Sequence, residues 1–216
     1  MRILCIGNSH TFCNGLPFQL RELLRNDYPA TEIAMHAPPG VTLGWHALQP
    51  ETQMAILYHD WDYIVLQQRS HPFDGYAALQ SDCDALLPFL RRSAAKTLMF
   101  VTWSEKRLPE NQAIIDDAFT QVAHEISASL VPVSRAWQTC LHDEADIELY
   151  DTDGEHASPR GSYLAACVFY SVIQGRSPVG LPNAIRVNGD ELVNLAHDMA
   201  ERIQRVVART ILPTQV

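Results

Sequence analysis

The sequence predicts an α/β domain in which a parallel sheet of about five strands lies between two layers of helices. Three observations carry this. Short apolar runs rich in branched side chains, at residues 2–6, 62–66 and 96–101, read as strands covered on both faces. Segments with helical apolar spacing alternate with them along the chain. Parallel neighbours joined this way need right-handed crossovers, which put helices on both faces of the sheet. With 216 residues, 47% hydrophobic and 19% charged, the chain can fill one such core as a single domain spanning 1–216. It carries no internal repeat, low-complexity tract or linker.

In chain order, the first strand ends at Gly7, and Leu16, Leu20, Leu23 and Leu24 predict a helix after Asn14-Gly15, so Ser9 is expected in the loop between them. Residues 31–37 form a weaker strand closed by Pro38-Pro39-Gly40, where Gly40 permits a positive-φ turn. Residues 43–60 are mostly helical, interrupted at Pro50. The strand at 62–66 runs into a polar loop, Gln67 to Pro72, and a helix is expected over 74–95 with a kink or break at Pro88. The strand at 96–101 delivers Thr102-Trp103-Ser104. Ile114, Ile115, Ala118, Phe119, Val122 and Ile126 mark an amphipathic helix, and residues 130–133 an edge strand, since Pro132 cannot donate to a ladder. Residues 148–156 form an acidic loop, after which Ser158-Pro159 supplies an N-cap and first helical residue for a helix to about Gln174. Gly175 to Pro178 ends it, and Leu192, Leu195, Ala196, Met199, Ile203 and Val206 predict a final helix.

Charge excludes one class of partner. A formal net charge of -9 with only 16 Lys+Arg and no basic block leaves no surface for phosphate neutralisation, so no nucleic acid is expected. No window approaches a membrane span, and no signal-peptide pattern precedes the first strand, which gives a cytoplasmic expectation. Five cysteines without CxxC spacing fit reduced thiols better than disulfides or structural zinc, with Cys5 and Cys167 packed as small hydrophobes. Only Cys13 lies in a loop that could activate a thiol. His36, His46, His59, His124, His142 and His197 share no metal-ligand spacing, so neither a metal nor another cofactor is expected.

Four loops should meet at the carboxyl edge of the sheet, where open parallel sheets bind ligands: residues 7–11, 38–41, 67–71 and the loop ending Asp153-Gly154-Glu155-His156. Each carries a group that acyl transfer uses. Ser9 is a nucleophile once a base takes its proton. His156 suits that role because an imidazole ordinarily titrates near ~6.5. Asp153, three residues earlier, can hold the other ring nitrogen and fix the tautomer. The N–H groups of Ser9 and Gly40 and the Gln67 amide could surround an oxyanion, each donor being worth ~3 kcal/mol in comparable enzymes.

At these residues the chain resembles the SGNH (GDSL-type) hydrolase family of serine esterases. Gly7-Asn8-Ser9-His10-Thr11 is similar to the family's nucleophile block, with Asn8 where Asp is commoner. Gly40 falls where the second block supplies its glycine, and Asp153-Gly154-Glu155-His156 resembles the last block. The resemblance spans roughly residues 3–180. It implies a flavodoxin-like strand order 2-1-3-4-5, a Ser9/His156/Asp153 triad and no cofactor. One block departs: where many members have Gly-x-Asn-Asp, this chain reads Gln67-Gln68-Arg69-Ser70. That is similar to a branch including carbohydrate acetylesterases in which a Gln is the third oxyanion donor; alignment favours Gln67, with Gln68 the alternative. His10, Gln68, Arg69, His71, Trp45 and Trp103 are candidates to line the substrate pocket. The resemblance implies a small-molecule ester with a short acyl group on a sugar or similar small alcohol. Two rival readings are a flavodoxin-like module binding an anion at the turn after the first strand, and a degenerate hydrolase that binds acylated ligands without turnover.

Overall fold

The computed structural model describes residues 1–212; residues 213–216 of the expected 1–216 domain lie outside the described residues. Five strands, β1 (Arg2–Ile6), β2 (Glu32–His36), β3 (Tyr63–Leu66), β4 (Lys96–Val101) and β5 (Ser129–Pro132), form one parallel sheet in the order β2-β1-β3-β4-β5. Cys5 lies opposite Met35 on one side and Val65 on the other. The central strands are apolar and buried at both faces, whereas β2 is exposed along most of its length and β5 ends at Pro132, so the two sparsest strands occupy the two edges.

Strand alternation divides the core in two. Ile3, Cys5, Val65, Leu98 and Phe100 face one side, where α2 (Leu16–Leu24), α7 (Val133–Asp143), α8 (Pro159–Gln174) and α9 (His197–Ile211) cover them. Leu4, Ile6, Ile64, Leu66, Met99 and Val101 face the other, covered by α3 (Leu43–Ala47), α4 (Pro50–Leu57), α5 (Tyr76–Leu90) and α6 (Asn111–Glu125). A one-residue register shift in any central strand would exchange these sets, so the pattern itself fixes the three layers.

Several boundaries differ from expectation for identifiable reasons. Residues 9–12 form a short helix, α1 (Ser9–Phe12), so Ser9 opens a helical turn rather than lying in an open loop. Pro50 starts α4, a position that asks for no backbone N–H. The helix expected over 74–95 is shorter: it runs through Pro88 and ends at Leu90. β5 sits one residue earlier than expected because α7 begins at Val133; Val133, Ala136, Trp137 and Cys140 form its buried stripe. The final helix starts at His197, not near Leu192. Residues before it make an antiparallel hairpin, β6 (Ala184–Val187) and β7 (Asp190–Asn194), turned by Asn188-Gly189 with φ of 54 and 95°. That Asn-Gly pair supplies the two positive-φ positions a tight hairpin needs.

Candidate active site

β1 hands the chain to Gly7, where a side chain has no room: a Cβ would lie 2.3 Å from Thr11 Oγ1 and 2.5 Å from Gln67 Oε1. Asn8 then caps α1. Its side-chain oxygen accepts the His10 N–H at 3.2 Å, and its amide donates to the Val41 carbonyl at 3.1 Å, tying the Ser9 turn to the loop that carries Gly40. From β3, the fully buried Gln67 accepts the Asn8 N–H at 2.8 Å and the Thr11 hydroxyl at 3.0 Å. From α3, the fully buried His46 donates Nε2–H to the Gly7 carbonyl at 2.7 Å. Its other nitrogen meets Thr52 of α4 at 3.0 Å.

The opposing loop closes on itself. A Tyr150–Ala157 bridge and a bond from Asp151 N–H to the His156 carbonyl shut its neck, and Gly154, at φ 71°, turns it. Two residues after β4 anchor it: Lys106 N–H donates to the Gly154 carbonyl at 2.9 Å and the Trp103 indole N–H to the Glu155 carbonyl at 2.8 Å. Asp153 Oδ1 accepts the N–H groups of Glu155 and His156, at 2.8 and 2.9 Å. Its Oδ2 lies 2.6 Å from His156 Nδ1, and His156 Nε2 lies 2.8 Å from Ser9 Oγ. Partial burial pushes the Asp153 carboxyl up, but hydrogen bonds from His156 and the two N–H groups, with the His156 charge, outweigh it and hold the group at about 2. An ionised Asp153 places the ring proton on Nδ1 and leaves Nε2 to accept from the serine hydroxyl. The chain Asp153, His156, Ser9 can therefore draw a proton from Oγ.

The other candidates fall into three groups. Gly40 adopts φ 74° in the neighbouring loop, and among the described residues neither its N–H nor that of Ser9 meets an acceptor. His10 lies beside His156, with His71 against the edge of His10, and Trp103 also flanks His10, stacked on Trp137 with ring centroids 3.8 Å apart. Gln68, Arg69 and Trp45 are engaged elsewhere. Gln68 accepts the Leu43 N–H and donates to Asp82, both within 2.8 Å, which joins α3 to α5 instead of lining a pocket or offering an oxyanion donor. Arg69 pairs with Asp74 at 2.6 Å, and Trp45 packs with His36 and His46. Gln67, the favoured third donor, has its amide oxygen on the Ser9 turn and its amide nitrogen on the Gln68 carbonyl, so its bonds give it a supporting role.

Cys13 is no activated thiol: burial, then Asp153 and Asp151, push it up to about 11. Among the described residues no three His, Cys, Asp or Glu side chains are grouped to hold a metal ion. Sequence reasoning missed Thr11 and His46 as supports of the turn. For His46 no local pattern marks the role, because its partner is 39 residues away.

The fold is one that the chain shares with solved structures of GDSL-type hydrolases. A DUF4886 family protein from Bacteroides uniformis superposes with a TM-score of 0.77 at 18% identity, covering 98% of this chain and 94% of that one. A member of the lipolytic G-D-S-L family from Veillonella parvula gives 0.60 at 12% identity, covering 81% and 98%. An acetylxylan esterase from Geobacillus stearothermophilus gives 0.59 at 17% identity, covering 78% and 91%. No protein-family profile matches the chain, and no curated protein matches it in sequence.

Proposed function

We propose that the chain is a serine esterase that hydrolyses short-chain acyl esters through a covalent acyl-enzyme. The observation that carries this is the continuous hydrogen-bonded chain from Asp153 through His156 to Ser9, 2.6 and 2.8 Å long at its two links. Ser9 Oγ attacks the ester carbonyl carbon while His156 Nε2 takes the hydroxyl proton. The oxyanion rests on the N–H groups of Ser9 and Gly40. As the bond to the alkoxy oxygen breaks, His156 returns the proton to the leaving alcohol. Water then attacks the acyl-enzyme, giving its proton to His156, and the acid leaves as Ser9 recovers its hydrogen. Gln67 acts one step back, holding Asn8 and hence Ser9 in place. No metal or organic cofactor takes part in these steps. Acetyl groups on carbohydrates or similar small alcohols are the proposed substrates; the likeness to an acetylxylan esterase supports this choice. Reduced thiols fit a cytoplasmic setting, and among the described residues no helix is long and apolar enough to cross a membrane.

The test is hydrolysis of p-nitrophenyl acetate, butyrate and octanoate. The acetate should turn over fastest, and Ser9→Ala and His156→Ala should each cost about 10⁴-fold or more in kcat. Retained activity in Ser9→Ala would contradict the mechanism.

A further inference from the structure

His10 and His71 play no part in the steps above, yet their geometry is closely defined. His71 Nε2 lies 2.9 Å from the Trp103 carbonyl oxygen, which can only accept, so that nitrogen carries the ring proton. The Nδ1 of a neutral His71 then presents a lone pair, and it faces His10 Nε2 at 3.1 Å. Two nitrogens at that separation need one proton between them, which His10 Nε2 must supply. The Glu155 carbonyl also lies near His10 and favours a proton on that side, but among the described residues the contact to His71 Nδ1 is the one that meets hydrogen-bond geometry at a His10 ring nitrogen, and it places the proton on Nε2. One backbone carbonyl thus sets the tautomers of two successive rings. The second ring, His10, lies against His156 with centroids 4.8 Å apart and planes 25° from parallel.

We propose that His10 is a positioning residue for the general base: tethered through His71 to the Trp103 carbonyl, its neutral ring holds His156 face-on to it and supports the imidazolium that forms when Ser9 loses its proton. This rests on the reading of His156 as the base. The groups facing the pair fit a neutral His10. Burial first, then His71 and His156, push its imidazole down to about 3, against the Glu155 carbonyl and Asp153. Burial also lowers His71, assisted by His156, while the Trp103 carbonyl, Glu105 and Glu155 oppose it. A charged His10 would repel the imidazolium, whereas an uncharged ring offers it a polarisable π face.

Two measurements test this. Nitrogen-15 NMR of the unaltered protein should show His10 and His71 both neutral and both protonated on Nε2 from pH 7 down to about 5. A proton on His10 Nδ1, or a charged His10 in that range, would overturn the tether. The pH dependence of kcat/KM for p-nitrophenyl acetate is then compared for the unaltered protein, His10→Leu and His10→Phe. His10→Leu should lower kcat about tenfold with KM within about twofold, and should move the acidic limb about half a unit to lower pH. His10→Phe, which keeps a ring face, should recover most of both. Equal losses in the two variants with an unmoved acidic limb would overturn the support of the imidazolium. Activity surviving Ser9→Ala would instead remove the reading of His156 as the base, whatever tautomers the spectra show.

Discussion

Ser9 stands on a turn supported from β3, α3 and α4 by buried side chains, whereas Asp153 and His156 ride a loop that is supported largely from within and remains partly in solvent. Asn8, Thr11, Gln67 and His46 are all nearly or fully buried; the Asp153 and His156 side chains are 46 and 28% exposed. The contrast suits the proposed chemistry. A nucleophile has to be held at one place, which long-range packing does well. A base that accepts and returns a proton benefits from contact with water, and a tight local turn aims it without a rigid surround.

The difference predicts that damage to the two sides will look unlike. On the exposed side, Asp153→Asn should lower kcat about 10⁴-fold by releasing the His156 tautomer. Its melting temperature should fall by no more than about 2 °C, because an accessible group near the surface contributes little to folding. A large loss of stability would show that the loop is structurally coupled to the core. The pH dependence follows the same logic. A folded-state value near 2, below the ordinary carboxylate value of about 3.9, means that the stability Asp153 contributes is present above pH 4 and is lost as pH falls through 2. Solvent screening at that exposure keeps this contribution small.

On the buried side the effect should fall on folding. Gln67→Leu removes the acceptor for the Asn8 N–H and the Thr11 hydroxyl and leaves both unpaired in the core. It should cost about 1–3 kcal/mol, read as a drop of roughly 2–10 °C in melting temperature, with kcat lowered as Ser9 loses its fixed position. A variant with unchanged stability and only lost turnover would return Gln67 to the role of direct oxyanion donor.

The same contrast governs what could be read from sequence. The Asp153-Gly154-Glu155-His156 loop is local, so its three-residue spacing and its glycine are visible in the chain itself. The central strands were legible too, since runs covered on both faces need no partner to be recognised. The supports of Ser9 were not, because Gln67 and His46 meet residues 7–11 only after the sheet and α3 have formed. Gln68 has a donor and an acceptor like its neighbour, and only the packing of α3 against α5 assigns it to Leu43 and Asp82. The hairpin at 184–194 was hidden for another reason: Leu192 and Leu195 fit helical spacing with the α9 stripe, although Asn188-Gly189 marked the turn.

The central claim, that Ser9 is a nucleophile activated by His156, is tested most directly by covalent labelling. A fluorophosphonate ester would form a bond from Ser9 Oγ to phosphorus with loss of fluoride, and peptide mass spectrometry locates the adduct. The expected result is a single adduct on Ser9 that is lost in His156→Ala. Ester hydrolysis with no adduct, or with the adduct on another residue, would contradict it.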